Sequence, residues 1–167
     1  VLFNKSVSAI KSLNIFKSVK TEVLDTSSNN QKDINIIVEE KPTGEVSLGA
    51  GVGTSGASTF FGVKENNFLG KGVTLDSNFL VSSDSFEGKF SVTNPNYKNT
   101  DRSVYTSVEA VETDNYKTFG YKTNKTGISL GNNFEYYDDL FFGIGNSNFY
   151  EKIETNSSAS ARQQAQE

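Results

Sequence analysis

The segment VTLDSNFLVSS at 73–83, followed by FEGKFSVTN at 86–94, sets the reading of the chain. In the first, Val73, Leu75, Phe79 and Val81 stand opposite Thr74, Asp76 and Asn78. In the second, Phe86, Gly88, Phe90 and Val92 stand opposite Glu87, Lys89, Ser91 and Thr93. Successive strand side chains point to opposite faces, so a period of two describes strands with one apolar and one polar face. The intervening DSFEG reads as the turn that joins them.

The pattern extends in both directions. TGEVSLGAGV at 43–52 puts Val46, Leu48, Ala50 and Val52 on one face, and ASTFFGVKE at 57–65 does so with Ala57, Thr59, Phe61 and Val63. GTSG at 53–56 and NNFLGKG at 66–72 are the turns around them. SVYTSVEAVETD at 103–114, TGISLGNNFEY at 126–136 and FFGIGNSNFYEKIE at 141–154 continue the series. They are separated by PNYKNTDRS, NYKTFGYKTNK and YDDL, with Pro95 outside the ladder because it lacks an N–H. TNSSASARQQAQE reads as a loop. The expectation is an antiparallel meander of about seven strands after residue 42.

Before Pro42 the period differs. Residues 1–16 read as a helix through Val7, Ile10, Leu13 and Ile15, residues 17–24 as a strand, 25–32 as a polar turn and 33–40 as a second strand carrying Ile34, Ile36 and Val38 on one face. The expected domains are therefore 1–41 and 42–167.

Composition narrows the function. With no Cys and no His among 167 residues, thiol chemistry, histidine acid–base catalysis and histidine metal ligation are excluded from this chain. A net charge of −4 without a basic patch argues against nucleic acid. Hydrophobic content is 35%, yet there are 13 Phe and 7 Tyr, a balance that suits membrane strands apolar on one face only better than a sandwich core. A soluble β-sandwich binding module is the alternative from a different class.

Chemical motifs are weak. Gly51-Val52-Gly53-Thr54-Ser55-Gly56 has the spacing of a dinucleotide fingerprint, but a β-branched, aromatic segment follows it where a helix is required. Glu39–Glu40 and Asp138–Asp139 are adjacent, so on a strand they diverge. Asp76, Glu87 and Glu109 share the polar face and could converge on a cation, but read better as a solvated lumen. No catalytic residue, metal or cofactor is expected.

The order of VSAIKSLNIFKSVKTEVL, DINIIVEEKPTGEVSLGAG and NNFLGKGVTL resembles the BamA family of bacterial outer-membrane assembly factors. Ser12-Leu13-Asn14-Ile15-Phe16 resembles its end-of-helix motif, with Asn14 where the family commonly has Gly. Val38-Glu39-Glu40 before Pro42-Thr43-Gly44 resembles the junction between the last POTRA domain and the barrel. Phe90-Ser91-Val92-Thr93-Asn94-Pro95-Asn96 and Asp138-Asp139-Leu140-Phe141 resemble later periplasmic turns.

The resemblance implies the end of a small α+β POTRA domain followed by the first strands of an incomplete transmembrane β-barrel. Neither terminus reads as a natural one, so an internal piece of a longer protein is expected. The implied function is to fold and insert β-barrel proteins into the outer membrane, without enzymatic activity. Implied partners are unfolded outer-membrane β-barrel proteins, accessory assembly lipoproteins and outer-membrane lipid. The implied location is the bacterial outer membrane, with the N-terminal part in the periplasm. Gly44-Glu45-Val46-Ser47-Leu48-Gly49-Ala50-Gly51-Val52 would be the lateral-gate strand, and Asn66-Asn67-Phe68-Leu69-Gly70-Lys71-Gly72 a periplasmic turn. A two-partner secretion transporter or a translocation-and-assembly pore is the nearest alternative on the same plan.

Overall fold

A computed structural model describes residues 2–25, 31–53, 56–100, 102–137 and 140–167. It divides into two compact units, Val1–Gly44 and Glu45–Glu167.

The first unit holds α1 (Leu2–Ser12), β1 (Phe16–Asp25) and β2 (Lys32–Glu40). Phe3, Val7, Ile10 and Leu13 recur at helical spacing and are half-buried, whereas their neighbours are exposed. The expected helix to residue 16 stops at Ser12. Asn14 has φ 56°, and its N–H donates to Lys11 O at 3.1 Å. Asn tolerates the left-handed backbone that ends a helix almost as well as Gly does, which accounts for Asn at a position where a glycine is common. β1 and β2 pair antiparallel, with Val19 opposite Val38, Thr21 opposite Ile36 and Val23 opposite Ile34. The expected turn at 25–32 lies largely outside the described residues.

In the second unit, β3 (Gly44–Gly53), β4 (Gly56–Phe68), β5 (Val73–Ser82), β6 (Ser85–Asn94), β7 (Arg102–Asn115), β8 (Tyr121–Tyr137) and β9 (Leu140–Thr155) form one sheet. Each strand pairs only with its sequence neighbours. The result is mainly β, an antiparallel seven-stranded meander that does not close on itself. These strands make one sheet and not the two packed sheets of a sandwich.

The register keeps the alternating pattern in phase across strands. Phe61 faces Phe79, Leu75 faces Val92, Phe90 faces Val108 and Val108 faces Ile128. On the other face Asn78 lies opposite Lys89, and Lys89 opposite Glu109. The polar face is the crowded one: Gly62, Ser107 and Gly127 are buried there. Phe149 fills the space beside Gly127, with Lys125 Nζ 4.2 Å from its ring centroid, and Tyr105 lies over Gly131 with its hydroxyl reaching Gly145. Crowding marks this polar face as the inner side of the curl, while Phe79, Phe90, Val108 and Ile128 on the apolar face stay 38–46% exposed.

Strand ends differ from expectation in four places. The DSFEG turn shrinks to Ser83–Asp84, because Ser82 Oγ accepts from Ser85 N at 3.0 Å and β6 starts one residue earlier, at Ser85. β4 runs on to Phe68, so Asn66 and Asn67 belong to a strand, with a register shift between Glu65 and Phe68. The loop expected at 115–125 contracts to residues 116–120, because Lys122 and Asn124 find partners across the ladder. Lys122 Nζ lies 2.8 Å from Glu112, and Asn124 Nδ2 donates to Glu112 at 3.4 Å. Finally, the polar tail contains α2 (Ala161–Gln164), whose Ser160 and Gln163 form a reciprocal capping box. The expected turns at GTSG and YDDL have their central residues, 54–55 and 138–139, outside the described set.

The β7–β8 turn locks the tail through Gly120, which has φ +76° and accepts from Asn156 N at 2.8 Å. A Cβ there would meet Ala159 N at 2.5 Å and the Ser158 carbonyl carbon at 2.8 Å, both backbone atoms. Gly120→Ala is expected to lower stability by about 2 kcal/mol, combining left-handed strain with this collision. Urea titration of the refolded complete protein measures it. Gly53→Ala, where nothing lies within 4 Å of the added carbon, serves as the control and should shift the midpoint little.

Candidate functional site: the β3 edge and the Asn66–Gly72 turn

β3 ends the meander, hydrogen-bonded to β4 on one side and, among the described residues, to no strand on the other. Its outward side chains are correspondingly bare: Val46 is 70%, Leu48 78% and Val52 89% exposed, against 42% for Phe61 and 40% for Val63 on β4. An edge strand presents a row of unpaired N–H and C=O groups that template another strand.

The glycines of β3 are not there to relieve crowding. A Cβ on Gly49 would stand 3.8 Å from Phe60 Cβ, and one on Gly51 would stand 3.7 Å from Ser58 Oγ, both ordinary contacts. Neither glycine has a positive φ. What remains is their effect on the strand: each forfeits side-chain packing and costs about 0.5–1 kcal/mol relative to Ala. Glu45 and Ser47 share the inner face with Gly49 and Gly51 by alternation, and Ala50 completes the outward row.

The turn at the far end of β4 is built differently from the sequence expectation. The positive φ values fall on both glycines, Gly70 at 69° and Gly72 at 65°, and on Leu69 at 56°, but on neither Asn66 nor Asn67. Lys71 N donates to Phe68 O at 3.3 Å, so Leu69 and Gly70 occupy the two positive-φ positions of a tight hairpin turn. Asn67 contributes otherwise, accepting from Gly72 N at 2.7 Å through Oδ1. Leu69 is 74% exposed and Phe68, opposite Val73 in the ladder, 41%.

The remaining candidates do not assemble into a chemical centre. Asp76, Glu87 and Glu109 share the inner face but are interleaved with cations, Lys64 opposite Asp76 and Lys89 opposite Glu109. Asp76 also accepts from Asn78. No metal-holding group of carboxylates occurs among the described residues. Glu39 pairs with Lys17 at 2.7 Å and leaves Glu40 beside Phe16 in the ladder. Gly51 and Gly53 lie in β3 and Gly56 opens β4, so a strand follows where a nucleotide site needs a helix. Asp138 and Asp139 lie outside the described residues.

No protein-family model matches the chain. Among solved structures it is similar to BamA from Haemophilus ducreyi, in a crystal structure lacking POTRA domains 1–3, with a TM-score of 0.72 and 24% identity over 92% of this chain. The fold is BamA-like. The chain spans 30% of that BamA chain. At this identity the likeness carries the fold alone. Within this BamA-like sheet, the strained Leu69 had no sequence signal, because nothing in Phe68-Leu69-Gly70 distinguishes which residue takes the left-handed position.

That strain is measurable. Leu69→Asn is expected to raise stability by about 1 kcal/mol, since Asn adopts this backbone more easily than Leu. Asn67→Ala, losing the bond from Gly72 N, is expected to lower it by about 1 kcal/mol. Equal urea midpoints for the two variants would show that the turn geometry is wrong.

Proposed function

We propose that this chain is part of an outer-membrane barrel-assembly protein, with β3 acting as the lateral gate at which strands of unfolded β-barrel clients are templated. The observation that carries the reading is the state of β3. It is the end strand of a BamA-like meander, paired on one side and holding glycines that no steric contact demands. An edge of this kind exchanges partners at low cost, and incoming strands bind by backbone hydrogen bonds. On this reading residues 1–41 are the end of a POTRA domain in the periplasm, where unfolded clients and accessory lipoproteins are received. Residues 42–167 enter the barrel, and the turn at Asn66–Gly72 faces the periplasm. The work is templating, and no covalent step is involved.

The apolar face then meets lipid. No helix among the described residues is long and apolar enough to cross a membrane, so any crossing is by strands. In the complete protein, spin labels at Val81 and Phe90 are expected to report contact with lipid, and labels at Asn78 and Lys89 contact with water. Water at the first pair would refute the membrane placement.

The gate is tested by locking it. A disulfide between β3 and the barrel's final strand, in the complete protein, should stop client insertion while the barrel still folds, and reduction should restore it. Gly49→Ala is expected to stabilise the strand by about 0.5–1 kcal/mol without collision, and to slow insertion. If the locked protein inserts clients at the normal rate, β3 is not the gate.

A further inference from the structure

We infer that the tip of the β4–β5 hairpin, Phe68 and Leu69, is an anchor seated in the headgroup–acyl boundary of the leaflet at its end of the sheet. Its partner is lipid. The inference rests on the barrel placement above and adds a depth that placement does not give.

The register aims Phe68. Glu65 lies opposite Leu75, and unbroken pairing would bring Asn67 opposite Val73. The shift between Glu65 and Phe68 brings Phe68 there instead. Residues directly opposite in a ladder share a face, and a bulge re-aims a side chain. Phe68 therefore extends the outward apolar face of Phe61, Val63, Val73 and Leu75 to the end of the strand.

Leu69 follows at φ 56°. A branched aliphatic residue takes left-handed backbone at a cost that Asn or Gly avoids. Its side chain is 74% exposed, so packing within the sheet offsets little of that cost. A strained position that presents a bare apolar side chain points to a contact outside the sheet.

The hydrogen bonds of the turn suit a dry layer. Asn67 N donates to Glu65 Oε1 at 2.6 Å, and Gly70 N to Asn67 O at 2.9 Å. Lys71 N donates to Phe68 O at 3.3 Å, and Gly72 N to Asn67 Oδ1 at 2.7 Å. These donors are taken within the turn, two of them by side chains. A turn in water needs no such arrangement because solvent serves the same groups, whereas one that leaves water does.

Lipid fits this tip better than protein. With those donors taken, an incoming strand finds little backbone to pair with, while apolar contact with acyl chains is non-directional. The neighbouring turns at the same end of the meander agree. Tyr97 is 41% exposed, with Lys98 Nζ 5.5 Å from its ring centroid, and Tyr136 and Tyr137 are 65% and 67% exposed. Tyrosine gathers at membrane–water interfaces because its ring is apolar and its hydroxyl wet. Lys71, exposed beside Leu69, supplies a cation at headgroup level.

The test uses the complete protein refolded into phosphatidylcholine vesicles that carry a quencher either near the headgroup or near the acyl terminus. Any cysteine elsewhere is replaced; this chain has none. A fluorophore on Leu69→Cys is expected to be quenched about twofold more by the shallow quencher than by the deep one. Aqueous iodide should quench it less than a fluorophore on Lys89→Cys, on the inner face. In a second variant, Leu69→Asn keeps the turn and removes the apolar tip. Iodide quenching of a label on Lys71→Cys should then rise about twofold over the same label beside Leu69. Equal iodide quenching at positions 69 and 89, stronger quenching from the deep position, protection that appears only when a soluble protein is added, or a label at position 71 indifferent to Leu69→Asn would each overturn the inference. Lipid contact at Phe90 with water at position 69 sinks the anchor alone, whereas water contact at Phe90 sinks the barrel placement beneath it.

Discussion

Every strand from β4 to β8 has a neighbour on each side, and the whole sheet depends on that pairing. Backbone N–H and C=O groups that leave water need partners, and in hydrocarbon the requirement is strict because no solvent can substitute. A meander meets it locally, each strand serving the next, and passes the deficit to the two ends. β3 and β9 inherit it, and the two edges differ. β3 is glycine-bearing, with bare outward side chains, whereas β9 is long and carries Phe149 locked over Gly127. On the proposed reading the glycine-bearing edge, β3, is the one that exchanges partners.

The two faces follow from the same pairing. Register holds the alternating pattern in phase from β4 to β9, so the apolar residues make one surface, which turns charged toward Glu112, Lys122, Lys152 and Glu154, and Lys64, Asp76, Lys89 and Glu109 lie on the other. Curling toward the polar face creates crowding there, and the chain accommodates it with glycine beside aromatic rings: Gly131 under Tyr105, Gly127 under Phe149. Interleaved charges such as Lys64 with Asp76 and Lys89 with Glu109 keep that face hydrated and leave no convergent acidic site. The outward face needs no such fit, and polar side chains interrupt it at Ser77, Thr106, Asn132, Asn146 and Asn148.

Likeness to a BamA barrel at 24% identity is a statement about the path of the chain. The proposed function rests on what the sheet leaves unsatisfied, chiefly the β3 backbone groups that pair with no strand among the described residues, beside the buried Oδ1 of Asn132. These are local violations of otherwise consistent patterning, and such violations concentrate where a protein meets something else.

The period of two along 73–94, and its repetition from 43 to 154, was enough to determine the strands, their faces and the meander, because alternation is a property of consecutive residues and survives any later packing. The change of period at Pro42 and the exclusion of thiol and histidine chemistry were equally plain in the sequence. Strand ends were not. Lys122 and Asn124 look like loop residues until Glu112 lies across from them, and Asn66 and Asn67 look like turn residues until β4 carries them to Phe68. The left-handed position at Leu69, the orphaned Oδ1 of Asn132 and the uncrowded state of Gly49 and Gly51 were decided only by tertiary structure. Each depends on which atoms from distant parts of the chain occupy the neighbouring space, and no local pattern encodes that.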